Sequence, residues 1–237
     1  MIVQIIKLIH KYHQTYNPLQ PKKPNLAKLL IIQNEHLINT KAKGGAKQLL
    51  HTKLYNKTSF YCDRPYKQHK KSPDRKCYEK DCSLNINKGK ELQKNTIDSE
   101  HIVPRSTLGK KSPDYKLSQS DLHNLRPTVA ILNNQRQNYP FIDNINSPHI
   151  EISKCDLKIT HKAKLVSPPN SKKGTIARTY LYMNDTYSLQ LSEQELEQYL
   201  RWHKLYPPNN WEIKRNILIQ KYQGNTNPWI DIYETKK

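Results

Sequence analysis

Apolar residues recur at helical spacing through Thr175–Tyr187, with Ile176, Ala177, Tyr180, Leu181 and Met183 as the repeating positions. Ser192-Glu193-Gln194-Glu195 then spells a capping box, in which a serine and a glutamate three residues on satisfy each other's backbone N–H groups. The helix it opens carries Leu196, Tyr199, Leu200 and His203 on one face and stops at Pro207-Pro208. On that apolar face His203 reads as a packed core histidine rather than a ligand. A further helix is expected over Trp211–Tyr222, with Gly224 as its stop. These helices read as scaffold.

Upstream the pattern shortens. A helix fits His36–Leu54, weakened by Gly44-Gly45, and Ser59-Phe60-Tyr61-Cys62 fits a short strand. Ile97–Val103 suits a strand stopped by Pro104, which cannot donate to a ladder. Leu125–Val129 suits a second strand, and Pro127 requires it to be an edge. A helix from Thr128 to about Tyr139 would deliver Asn133 and Arg136 three residues apart on one side. The fold class expected is α+β, a mostly helical single domain over 36–237. Residues 1–35 read as a basic, poorly ordered arm or a mis-assigned leader, rich in lysine and proline, with a short helix around Leu26–Ile32.

Charge sharpens this outline. The 237 residues hold 40 Lys+Arg against 20 Asp+Glu, a formal charge of +20, which draws polyanions and above all nucleic acid. The basic stretch 63–94, with Tyr66 and Tyr78 interleaved, reads as a docking loop for phosphates and bases. Tyr (15) far outnumbers Phe (2), so the core should be rich in aromatics with polar tips. No apolar stretch is long enough for a membrane span. No secretory signal is legible in Met1-Ile2-Val3-Gln4-Ile5-Ile6-Lys7. Cysteines stand at 62, 77, 82 and 155. Two readings stay open: two disulfides in any of three pairings, or zinc held by Cys62, Cys77 and Cys82 with His69.

The chemistry concentrates in Asp98-Ser99-Glu100-His101-Ile102-Val103-Pro104-Arg105-Ser106, then Asp121-Leu122-His123-Asn124-Leu125-Arg126-Pro127, then Asn133-Asn134-Gln135-Arg136-Gln137-Asn138. A glutamate and an amide oxygen can hold a hard divalent ion, an imidazole can take a proton from water, and arginine matches phosphate oxygens. Together they point to metal-assisted phosphodiester cleavage. A non-catalytic basic nucleic-acid-binding protein is the alternative, and a zinc-stabilised DNA-binding module a third.

Glu-His-Ile-Val-Pro at 100–104, Asp-Leu-His-Asn-Leu-Arg-Pro at 121–127 and Asn-x-x-Arg-x-Asn at 133–138 resemble the endonuclease I family of bacterial periplasmic or secreted non-specific nucleases. Phe60-Tyr61-Cys62, Cys155-Asp156-Leu157-Lys158, Ile176–Met183, Trp202 through Pro207 and Gln223–Pro228 match its pattern in order, so the similarity covers roughly residues 38–231. The resemblance implies a ββα-metal (His-Me finger) centre in which His101 is the general base. Glu100 and Asn133 would hold Mg²⁺, or Ca²⁺ or Mn²⁺ in its place. Arg136 would hold a phosphate oxygen or brace the site, against the plainer reading of a helix-surface salt bridge. Asp121, His123 and Asn124 would orient the site from behind, with His123 the rival base. Double- and single-stranded DNA, and RNA, would be cut without base specificity to 5′-phosphate ends, by a monomer in the periplasm or outside the cell. The chain departs from the family in three places. Its link from Ser106 to Asp121 is short, so that Lys110 or Lys111 would supply the phosphate-contacting cation. Asn134-Gln135 stand where Gly-Asp is common, and fewer cysteines preclude the full disulfide set.

Overall fold

The computed structural model describes residues 46–67, 76–77, 97–109, 111–112, 114–147, 149–152 and 155–234. The elements are α1 (Ala46–Thr52), β1 (Tyr66–Lys67), β2 (Lys76–Cys77), β3 (Ile97–His101), α2 (Tyr115–Ser120), β4 (Leu125–Val129) and α3 (Ala130–Arg136). There follow β5 (Ile150–Ile152), β6 (Leu157–Thr160), β7 (Leu165–Ser167), α4 (Asn170–Tyr187), α5 (Glu193–Leu205), α6 (Asn210–Gln223) and α7 (Pro228–Glu234). All the strands pair antiparallel, in sheets ordered β1-β2, β3-β4 and β5-β6-β7. The class is therefore α+β, as expected. No described helix is long and apolar enough to cross a membrane.

Helix α4 organises the core. Ile176, Ala177, Tyr180, Leu181, Tyr182 and Met183 are all buried, so the helix is enclosed on every side rather than along one stripe. It begins at Asn170, earlier than the apolar spacing suggests, and runs through Gly174. A methyl group there would lie 2.0 Å from the Tyr206 carbonyl oxygen, so glycine is what lets the end of α5 approach α4. Tyr180 stacks on Tyr199 of α5 with ring centroids 4.3 Å apart, and Trp202 is fully buried beside them. Helix α5 opens on the capping box read from the sequence, with Ser192 and Glu195 reciprocally bonded. His203 is buried against Trp229 and Tyr233, a core residue as expected. Helix α6 ends at Gly224, whose φ of 91° suits glycine alone.

A second apolar cluster joins α1 to β4 and α6 through Leu50, Leu54, Leu122, Leu125 and Ile219. Between α4 and α6, Arg178 donates to both carboxylate oxygens of Glu212 at 2.8 Å, and Thr175 Oγ1 adds a third bond. Such a buried bidentate pair satisfies its own charge.

Several expectations are corrected. Ser59–Cys62 is not a strand but a tight turn: the Ser59 amide donates to the Arg64 carbonyl, and Asp63 takes a φ of 50°. Strand β3 stops at His101 rather than Val103, because the Ile102 amide turns to the Asn124 carbonyl. Helix α3 is shorter than expected, ended by Gln137 at φ 54°. The zinc reading loses a ligand, since Cys62 is bonded to Cys155 across 93 residues of chain. His69 and Cys82, the arm 1–35 with its short helix, and the first half of the His36–Leu54 helix lie outside the described residues, as does most of the loop 63–94.

Candidate active site

Strand β3 and strand β4 pair with Glu100 opposite Arg126 and His101 opposite Leu125, and the chain runs directly from β4 into α3. Pro127 has no N–H to give, and its carbonyl instead accepts the Phe60 amide at 2.7 Å, an edge position as expected. Folding α3 back over the hairpin sets Asn133 and Arg136 beside the end of β3. A cleft of about 580 Å³ results, lined by Asp98, Glu100, His101, Gln119, Asn133 and Arg136 among others.

Glu100 is 1% exposed. Tyr61 donates its hydroxyl to Oε1 at 2.8 Å, and Arg136 Nη1 lies 3.3 Å from the same oxygen. No described residue bonds Oε2. Burial pushes the Glu100 carboxyl up to about 7, against the opposing pull of Arg136 and Tyr61.

His101 is half-buried at the end of β3, its Nε2 2.9 Å from the Gln119 carbonyl. A carbonyl only accepts, so Nε2 carries the proton and Nδ1 keeps its lone pair. Burial pulls the imidazole down to about 4, which leaves it neutral at pH 7. Asn133 donates Nδ2 to Asp98 Oδ2 at 3.2 Å, and this orients the carboxamide with Oδ1 as its remaining acceptor.

Arg136 is neither a surface salt bridge nor exposed. It is buried, with Nη1 donating to the His101 carbonyl at 2.9 Å and Nη2 to the Ile102 carbonyl at 2.7 Å. Its guanidinium braces the turn that carries the imidazole.

Asp121, His123 and Asn124 lie behind the cleft and do not line it. Asp121 is fully buried and accepts from the Tyr182 and Tyr187 hydroxyls, from Gln223 Nε2 and from the His123 amide. His123, the other imidazole of the motifs, is sealed against Tyr182 with its Nε2 near the Asn225 carbonyl. Asn124 Oδ1 accepts the Val103 amide and its Nδ2 returns a bond to the Val103 carbonyl, clamping the chain just past His101. Lys111 is exposed and away from the cleft lining, and Lys110 lies outside the described residues.

Sequence reasoning passed over Asp98, Tyr61, Gln119 and Arg105. Asp98 and Arg105 stood inside the quoted motif without a role. Tyr61 and Gln119 reach the site only through tertiary folding, and nothing in their local sequence announces it.

A model of the endonuclease I family matches residues 32–234. The chain belongs to that family. Endonuclease-1 of Buchnera aphidicola subsp. Acyrthosiphon pisum is 36% identical over 188 residues, covering 73% of this chain and 73% of the relative. An extracellular deoxyribonuclease of Aeromonas hydrophila is 33% identical over 223 residues, covering 86% of this chain and 94% of the relative. A periplasmic deoxyribonuclease of the same species is 36% identical over 150 residues, 57% and 63% of the two chains. As a member of the endonuclease I family the chain is an endonuclease, and the hydrolase class read from its motifs holds.

Proposed function

We propose that the chain is a metal-dependent DNA endonuclease whose β3-β4-α3 unit forms a ββα-metal centre, with His101 as general base. The observation that carries this is the state of His101: it lines the cleft, neutral, with Nε2 tied to Gln119 and Nδ1 left to accept a proton from water. Glu100 and Asn133 fit a hydrated divalent cation. Each faces the same cleft, each is a hard oxygen donor, and each has an oxygen that no described residue engages. Among the described residues no three His, Cys, Asp or Glu side chains cluster as a closed zinc cage would require, which favours Mg²⁺ or a like ion. Such an ion would neutralise charge on the scissile phosphate and the departing 3′ oxygen, leaving a 5′-phosphate end.

The protein's own part is positional. Arg136 fixes the carbonyls of His101 and Ile102, Asn124 fixes Val103, and Asp98 fixes the Asn133 carboxamide. A centre of this kind addresses the phosphodiester rather than base edges, so DNA, and RNA as well, would be cut without base preference. The deoxyribonuclease names of the relatives support DNA as substrate, and their extracellular and periplasmic names support export. The Cys62–Cys155 disulfide suits an oxidising compartment. Residues 36–237 would form the nuclease domain and 1–35 a separate basic arm.

The test is plasmid nicking by purified protein. Activity should require Mg²⁺, stop with chelator, and vanish in His101→Ala. Retained nicking in both chelator and His101→Ala would overturn the mechanism, and salt-sensitive binding without any cleavage would favour the non-catalytic binder instead.

A further inference from the structure

A phosphodiester lying in this cleft needs a cation with donors to spare, and two guanidinium groups line it, those of Arg136 and Arg105. Arg136 is disqualified by its commitments. It is buried, Nη1 and Nη2 are engaged by two carbonyls, and its charge is opposed by Glu100. Arg105 is its opposite: exposed, on the cleft wall, and with no hydrogen bond or ion pair to any described residue.

The backbone that presents Arg105 is unusually well held. On its near side, Ile102 and Val103 are bonded to Asn124, and the Ile102 carbonyl accepts from Arg136. On its far side, the Thr107 amide closes a turn on the Pro104 carbonyl at 3.0 Å, and Leu108 is buried in the core. Pro104 itself restricts the chain just before the arginine. Arg105 therefore leaves a pinned turn four residues beyond His101, on the wall of the same cleft. A loop free to move would have to be ordered by the substrate, whereas here the backbone part of that cost is already met and only the Arg105 side chain remains to be ordered.

We propose that Arg105 is the cation that grips the nucleic-acid phosphate in the cleft, a role assigned in the sequence to Lys110 or Lys111. The planar fork of a guanidinium meets two phosphate oxygens at once, which an ammonium cannot do. The proposal rests on the nuclease reading of the site and names one of its substrate contacts.

The experiment compares wild type, Arg105→Ala, Arg105→Lys and the exposed-helix control Lys214→Ala. Plasmid nicking is measured with Mg²⁺. Binding of a short fluorescein-labelled duplex is measured against salt, each substitution being combined with His101→Ala to suppress cutting. Arg105→Ala should lower kcat/KM by about tenfold to a hundredfold, the scale of a charged hydrogen bond. It should also reduce the slope of log affinity against log salt by about one. Arg105→Lys should recover part of both effects, and Lys214→Ala should stay within about twofold of wild type, as expected for a substitution away from any contact. An Arg105→Ala protein within about twofold of wild type, with an unchanged salt slope, would overturn the assignment. Failure of the nuclease reading looks different, because wild type would then nick nothing. The salt slope would still decide whether Arg105 touches phosphate.

Discussion

Two buried carboxylates, Glu100 and Asp121, stand 21 positions apart in sequence and do opposite things. Asp121 receives four hydrogen bonds, two on each oxygen, from Tyr182, Tyr187, Gln223 and the His123 amide. Its donors are themselves tied in, Asn225 Nδ2 donating to the Tyr182 hydroxyl and Gln223 Oε1 accepting the Leu122 amide. Glu100 receives Tyr61 and Arg136 on one oxygen and presents the other to a cleft. A saturated buried carboxylate cements a fold, since each partner would be stranded without it. A half-satisfied one at a cleft wall stores ligand capacity that the fold does not use. Burial alone thus fails to tell the two carboxylates apart, and the count of engaged lone pairs does tell them apart.

The comparison breaks most sharply through His101→Ala. Removing the proposed general base should lower kcat by about a hundredfold to ten-thousandfold. The imidazole is half-buried with a single hydrogen bond to Gln119, so the melting temperature should move little. Steady-state nicking beside a thermal melt measures both. A large loss of stability would mean that the cleft wall is structural, as the Asp121 region is.

Asp121→Ala should give the reverse. Four donors lose their acceptor in a dry interior, a cost of roughly 3–5 kcal/mol in unfolding free energy. What remains folded at low temperature should retain most of its specific activity, because Asp121 touches nothing in the cleft. Urea titration paired with an active-fraction measurement checks this. An Asp121→Ala protein of wild-type stability would remove the distinction between the two carboxylates.

The same contrast explains what was legible from sequence. Strand β4 falls on Leu125–Val129 as read, and the capping box at Ser192 and the stop at Gly224 hold to the residue, because each is a local rule written in adjacent side chains. The three-stranded sheet β5-β6-β7 was missed. Its strands are only three or four residues long and set among Asn, Asp, Lys and Pro, so although each pairs with its neighbour in the chain, none carries enough alternating apolar pattern to announce itself. Ser59–Cys62 has a strand-like composition, yet its backbone bonds close locally into a turn. Glu100, His101 and Asn133, which stand in the motifs read from sequence, line one cleft. Tyr61 reaches Glu100 across 39 residues, and the loss of Arg136's donors to two carbonyls is a tertiary fact with no local signature.

A third variant probes what holds Tyr61 in place. Its neighbour Cys62 is bonded to Cys155, beside the β5-β6-β7 sheet, and closes a loop of 93 residues. Replacing both cysteines by alanine should cost about 2–4 kcal/mol, mostly through the released entropy of the unfolded chain. Activity at low temperature should fall further than in Asp121→Ala, because the cut frees the segment that carries the Glu100 hydrogen-bond donor. Equal residual activities in the two variants would mean that Tyr61 is held by its packing in the core alone.

The finest discrimination comes from pH, where buried carboxylates differ in sign according to whether a paired cation outweighs burial; burial prevails at Glu100 and at Asp121, and Arg178 prevails at Glu212. Burial raises Glu100 from 4.5 to about 7, so in the metal-free protein the native state takes up this proton before the unfolded chain does. Its contribution to stability therefore grows as pH falls from above 7 towards 4.5, by at most roughly 3 kcal/mol. Glu212 behaves in the opposite way. Burial would raise it, but Arg178 and Thr175 outweigh burial and hold it below 4.5. Its contribution is whole above the unfolded value and is lost as pH falls through the folded one. With chelator present, the stability gap between wild type and Glu100→Gln should shift in favour of wild type as pH drops from 8 to 5. The gap between wild type and Glu212→Gln should hold through that range and close only in stronger acid, where the Arg178 pair loses its charge. Denaturant midpoints across pH measure both gaps. Two gaps moving in the same direction would mean that Arg136 outweighs burial at Glu100 as Arg178 does at Glu212.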